Sequence, residues 1–137
     1  MSELYTTAQK MVEKGKGILA ADESTPTCTK RFESINTDST SESRNFYRNM
    51  LFTTKDIEKY ISGIILFDET FHQSELSSGM KFPEYLTSQN ILPGIKVDHG
   101  LEDFSPYEKL TLGLDGLLAR LEKYYELGAR FAKWRAV

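Results

Sequence analysis

Hydrophobic positions fall into short blocks separated by polar turns, and the spacing inside each block predicts its element. Leu4, Ala8, Met11 and Val12 recur at helical intervals, an amphipathic helix that stops at Gly15. Gly17 to Ala21 is an apolar run too short for a helix and bounded by glycine, which predicts a buried strand. Thr25 to Ser34 then reads as a helix, with Thr25 as its cap and Pro26 at the first position, where a missing N–H does no harm. Asn36 to Ser43 is polar and reads as a loop or a helix start. A second helix, Ser43 to about Leu51, turns Phe46, Tyr47, Met50 and Leu51 inward and carries Arg44 and Arg48 on another face. Thr53-Thr54-Lys55-Asp56 has the form of a capping box, with aspartate in place of glutamate, opening a short helix to Tyr60.

Ile61 to Phe67 is the clearest strand, because a nearly continuous apolar run implies burial on both faces, as in a parallel sheet. Ser74 to Lys81 reads as a loop and Phe82 to Gln89 as a short helix. Leu92 to Val97 is a third strand, Glu102 to Thr111 is polar and irregular, and Asp115 to Leu127 is a helix whose face is Leu117, Leu118, Leu121, Tyr124 and Tyr125. Gly128 suits the position after that helix. Ala129 to Val137 completes the series as a fourth strand. Strands alternating with helices define the α/β class, with a parallel sheet and helical crossovers. Both a doubly wound sheet and part of a (β/α)8 barrel satisfy that order.

Charge enters where the strands end. Asp22, Glu23 and Ser24 follow the first strand, Asp68, Glu69 and Thr70 the second, and Asp98 and His99 the third. Period-two alternation puts Ile18, Ala20 and Asp22 on one face, Lys96 with Asp98, and Phe131 with Lys133 and Arg135. Asp22 and Ser24 could simply cap the following helix, and the lysines could guard exposed sheet edges. Ionisable groups at several strand ends instead fit a site, since active sites of parallel-sheet folds gather there. Asp22 and Lys96, placed on neighbouring strand ends, would then neutralise one another beside a phosphorylated, carbonyl-type substrate.

Composition narrows the classes. The chain has 137 residues and a net charge of −3 with both signs interspersed, which argues against nucleic acid or an anionic membrane surface as partner. Its one cysteine, Cys28, excludes an internal disulfide, and no apolar run approaches a membrane span. The N-terminus lacks the pattern of a secretory signal, so the expected compartment is the cytoplasm. His72 and His99 have no partner at metal-ligand spacing, and no metal site is expected.

Several of these segments together resemble one family. Gly-Lys-Gly-Ile-Leu-Ala-Ala-Asp-Glu-Ser at 15–24, Lys30-Arg31, Arg-Asn-Phe-Tyr-Arg at 44–48, Gly63-Ile-Ile-Leu-Phe with Glu69-Thr70, Gly94-Ile-Lys-Val-Asp, Gly113-Leu-Asp-Gly-Leu and Phe131-Ala-Lys-Trp-Arg resemble class I fructose-bisphosphate aldolase in content, order and spacing. The resemblance implies a partial TIM (β/α)8 barrel, strands 1–4 with their helices, as a single incomplete domain over 1–137. It implies a glycolytic carbon–carbon lyase that splits fructose 1,6-bisphosphate reversibly into dihydroxyacetone phosphate and glyceraldehyde 3-phosphate. The chemistry runs through a lysine Schiff base, without metal or cofactor, usually in a homotetramer. Carried over by position, Asp22 assists proton transfer and orients the Schiff-base lysine, and Lys96 lines the site. Ser24, Thr27, Lys30, Arg31, Arg44 and Arg135 match substrate-side residues. Asp68 and His99 depart from the family, which commonly has histidine and lysine there. Lys133 is a motif residue and is not the expected nucleophile. Relatives continue past the position of Val137 into the Schiff-base lysine and a C-terminal phosphate loop, so the chain is expected to be inactive by itself. A non-catalytic half-barrel that pairs with a partner half, or a bare sugar-phosphate binder, is the competing expectation.

Overall fold

The computed structural model describes residues 2–137. In chain order the elements are α1 (Glu3–Met11), β1 (Gly17–Ala21), α2 (Thr25–Glu33), α3 (Ser41–Phe52), a 3-10 turn (Ile57–Lys59), β2 (Ile61–Leu66), α4 (Asp68–His72), α5 (Phe82–Ser88), β3 (Leu92–Lys96), β4 (Leu101–Ser105), β5 (Glu108–Thr111), α6 (Leu117–Glu126) and β6 (Phe131–Lys133). β1, β2, β3 and β6 form one parallel sheet in that order, and β4 and β5 form a separate antiparallel hairpin.

The register sorts side chains into two faces. Ala21, Leu66, Ile95 and Ala132 lie level on the convex face. Ala21, Ile64, Leu66, Ile95 and Val97 join Phe52, Phe71, Phe82, Leu86, Ile91 and Tyr124 in the core, between sheet and helices. On the concave face Ala20, Ile65, Gly94 and Phe131 lie level. The Phe131 ring fills the space that a Cβ on Gly94 would occupy, and it would sit 3.0 Å from a Cβ on Gly63. Two glycines therefore make the notch in which the last strand's aromatic lies. One step further along the strands the concave face turns polar, with Lys96 level with Lys133.

Several local expectations change. The capping box sits earlier than the sequence suggests: Thr40 caps α3 and Ser43 reciprocates, with bonds of 3.1 and 2.9 Å. Thr54 turns its hydroxyl back to the Met50 carbonyl, so no capped helix follows it, only the 3-10 turn after left-handed Asp56 (φ 63°). Within α3, Phe46 and Met50 are exposed and Arg48 is buried, because Arg48 shares its face with Phe52 one turn on. The stripe of α6 is likewise narrower, with Leu117, Leu121 and Tyr124 inward and Leu118 and Tyr125 largely outside. α1 buries none of its residues and is tied down by polar contacts. Ser62 Oγ donates to the Met11 carbonyl (2.7 Å) and the Tyr125 hydroxyl to Glu3 (3.0 Å).

The stretch expected to be irregular is the β4–β5 hairpin, and its exposure on both faces explains why it carries no hydrophobic alternation. α4, absent from the sequence reading, turns the chain immediately after β2. The fourth strand is only three residues long. Beyond Lys133 the chain leaves β3: the Arg135 N–H donates to Asp98 Oδ2 and its carbonyl accepts from Thr111 in the hairpin. Among the described residues no helix is long and apolar enough to cross a membrane.

Candidate active site

β1, β3 and β6 all end in charge on the concave face, and the sheet's curl brings those ends together. Lys133 Nζ donates to Asp22 Oδ2 at 2.8 Å although they belong to the two outermost strands. A flat sheet would set those strands about 14 Å apart, three spacings of about 4.8 Å, beyond the combined reach of the two side chains. Lys96 Nζ donates to Asp98 Oδ1 at 2.6 Å and to the Asp98 carbonyl at 2.8 Å. The match of Asp22 with Lys96 is therefore corrected: β2 lies between their strands, and each takes a different partner.

These two pairs line one cavity of about 720 Å³, with Glu23, Ser24, Thr27, Arg31, Phe67, His99 and Arg135 around it. That volume suits a small phosphorylated metabolite. Ser24 Oγ and Thr27 Oγ1 are 3.2 Å apart at the start of α2. Arg31, two turns along, pairs with Glu23, whose Oε1 also accepts the Tyr47 hydroxyl at 3.2 Å. The Glu23 charge raises the Arg31 pKa above its ordinary value, and burial followed by the same charge raises that of Tyr47. Burial pushes the Asp98 carboxyl up. The Lys96 ammonium and the N–H groups of Gly100 and Arg135 outweigh it, so Asp98 stays below the usual carboxylate range.

Four basic side chains (Arg31, Lys96, Lys133, Arg135) thus face three acidic ones (Asp22, Glu23, Asp98) around this cavity. Three ion pairs use up three of the cations. The Arg135 side chain makes no ion pair among the described residues and lies at the rim, a surplus positive charge open to an anion. The Asp22–Lys133 couple is partly shielded from water.

Two sequence-assigned residues do not reach the cavity. Lys30 points to solvent from α2. Arg44 holds Glu69 in a two-pronged bond (2.8 and 2.7 Å) and also donates to Ser39 Oγ, which ties α3 to α4. The structure adds Lys133, which the sequence reading left without chemistry. Its shared face with Phe131 and Arg135 was the available signal. Cys28 is fully buried on the inner face of α2, and no group of three or more His, Cys, Asp or Glu among the described residues could hold a metal ion.

The model of the class I fructose-bisphosphate aldolase family matches residues 3–137. A probable class 1 fructose-bisphosphate aldolase of Xanthomonas axonopodis pv. citri is 55% identical over all of this chain, and fructose-bisphosphate aldolase 1 of Toxoplasma gondii is 56% identical over 98% of it. A solved structure of Plasmodium falciparum fructose-bisphosphate aldolase, in complex with TRAP and a small-molecule inhibitor, superposes with a TM-score of 0.92 at 54% identity over 98% of this chain. The chain spans 41%, 38% and 39% of those three proteins' lengths, as four strands of a barrel would. With the family model matching nearly every residue and the curled four-strand sheet superposing closely, the chain belongs to the class I fructose-bisphosphate aldolases.

Proposed function

We propose that residues 1–137 are the N-terminal half of a class I aldolase barrel and supply its sugar-phosphate-handling rim. The reaction is the reversible cleavage of fructose 1,6-bisphosphate to dihydroxyacetone phosphate and glyceraldehyde 3-phosphate, in glycolysis and in the cytoplasm. The observation that carries the reading is the Asp22–Lys133 contact beside Lys96, inside a cavity with one unpaired arginine. In this scheme Arg31, Arg135, Ser24 and Thr27 hold phosphate or hydroxyl oxygens. Lys96 and Lys133 place positive charge near the carbonyl, and Asp22 exchanges a proton with Lys133 or with a substrate hydroxyl. The lysine that forms the Schiff base belongs to the part of the family not represented here, so this chain alone binds without turnover.

Calorimetry of the chain with fructose 1,6-bisphosphate tests this, with salt as the second variable. Binding that weakens as salt rises is expected, together with no covalent capture on borohydride treatment. Undetectable or salt-indifferent binding refutes the reading, and covalent capture places the nucleophile within this chain. A second reading, a half-barrel that associates with a partner half, is favoured by Ile18, 41% exposed on the concave face, and by the apolar groove of about 530 Å³ beside α6 and β6. Sizing of the purified chain decides it: a monomer speaks against self-pairing.

A further inference from the structure

Arg48 is 2% exposed, an uncommon place for a guanidinium. Its fork lies on one short segment. Nε donates to the Ala21 carbonyl at 2.8 Å, Nη2 donates to the Glu23 carbonyl at 2.8 Å, and Nη1 donates to Cys28 Sγ at 3.3 Å. Nη2 also lies 3.2 Å from Glu23 Oε2, and the guanidinium stacks 5.1 Å from the centre of the Tyr47 ring.

Ala21 and Glu23 flank Asp22. The pairing of β1 with β2 ends at Ala21, so the strand ladder does not hold the backbone that carries Asp22. A rigid planar fork gripping both carbonyls fixes the peptide plane that enters the Asp22 Cα and the one that leaves the Glu23 Cα, and so clamps the Asp22–Glu23 dipeptide at both ends. That sets the direction in which the Asp22 carboxylate leaves the chain. The same grip holds the Glu23 carboxylate where Arg31 and the Tyr47 hydroxyl meet it. A methionine could fill the volume without the desolvation penalty of a charge, so packing alone does not explain an arginine here.

We infer that Arg48 is a positioning residue of this site, aiming Asp22 at Lys133 and Glu23 at Arg31 through the two carbonyls it grips. The inference rests on the proposed function for its purpose, but its geometry stands apart from any substrate.

Competitive acylation of the full chain with trace acetic anhydride, read by mass spectrometry, measures the reactivity of Lys133 relative to Lys96. Lys96 is the internal reference, because its partner Asp98 hydrogen-bonds to Lys96, Gly100 and Arg135 and not to the segment that Arg48 grips. In Arg48→Met the ratio is expected to rise about three-fold, the factor that losing a part-exposed ion pair gives, with circular dichroism unchanged. Arg48→Lys keeps the charge but not the fork, and an intermediate ratio is expected. An unchanged ratio in folded Arg48→Met overturns the inference, as does a rise shared equally by both lysines. If Arg48→Met does not fold, Arg48→Lys decides: a wild-type ratio overturns the inference and a raised one supports it. A raised ratio in a chain that binds no fructose 1,6-bisphosphate removes the functional reading and leaves the positioning role intact.

Discussion

Replacing Gly94 by alanine places a methyl group inside the ring of Phe131, whose atoms already occupy that space. The ring already lies close over the Gly63 backbone, 3.0 Å from the point a Cβ there would take, and has little room to retreat that way. It must therefore lift off the concave face and take β6 with it. β6 has only three residues and a single pairing partner, β3, so little resists that movement. Overpacking of this kind costs about 1–3 kcal/mol. For a domain of this size that lowers Tm by about 3–12 °C. The displacement also draws Lys133 from Asp22, so Gly94→Ala should weaken fructose 1,6-bisphosphate binding although it touches no charged group. Thermal melts and urea titrations of Gly94→Ala, Phe131→Leu and the double variant check the cause. The smaller leucine should relieve the clash and return about 1 kcal/mol or more to the double variant, a coupling expected of residues in direct contact. A Gly94→Ala melt superimposable on wild type, or strictly additive losses, refutes the reasoning.

Two further outcomes can be checked on the same chain. Glu75 is buried and accepts from the Ser78 hydroxyl and N–H (both 2.6 Å) and the Ser77 N–H (2.9 Å), which hold its carboxyl down at about 2. A carboxyl lowered on folding contributes stability that is complete above the unfolded value of 4.5 and is lost as pH falls toward 2. Glu75→Gln should thus be less stable than wild type at neutral pH and converge with it near pH 2, and urea midpoints that stay parallel across that window contradict this. Phe52, fully buried and edge-on to Phe82 at 5.0 Å, should cost about 3–5 kcal/mol when cut to alanine, whereas the same change at exposed Phe46 should fall within about 0.5 kcal/mol of zero by urea titration.

What the sequence made legible follows burial. β2 and β3 are covered on both faces by sheet, helix or ring, so their apolar runs stand out and their bounds differ from the expected ones by one residue. β4 and β5 are wet on both faces and leave no hydrophobic trace. In α3 the helix was visible but its rotation was not. Phe46 and Met50 looked like core by type, yet the turn that buries Phe52 also buries Arg48, and an arginine's hydrogen-bond partners do not show in a linear pattern. At the site, alternation correctly grouped Lys96 with Asp98 and Lys133 with Arg135. It could not pair strands with each other, because pairing depends on sheet order and curl. Two strands joined by a contact can lie 111 residues apart, as Asp22 and Lys133 do.

That contact spans the sheet from one rim to the other, like a string across a bow. An anion that draws Lys133 toward itself would slacken the string where the sheet is thinnest, at the three residues of β6. Amide exchange along β6 is the place where a bound phosphate would first be felt.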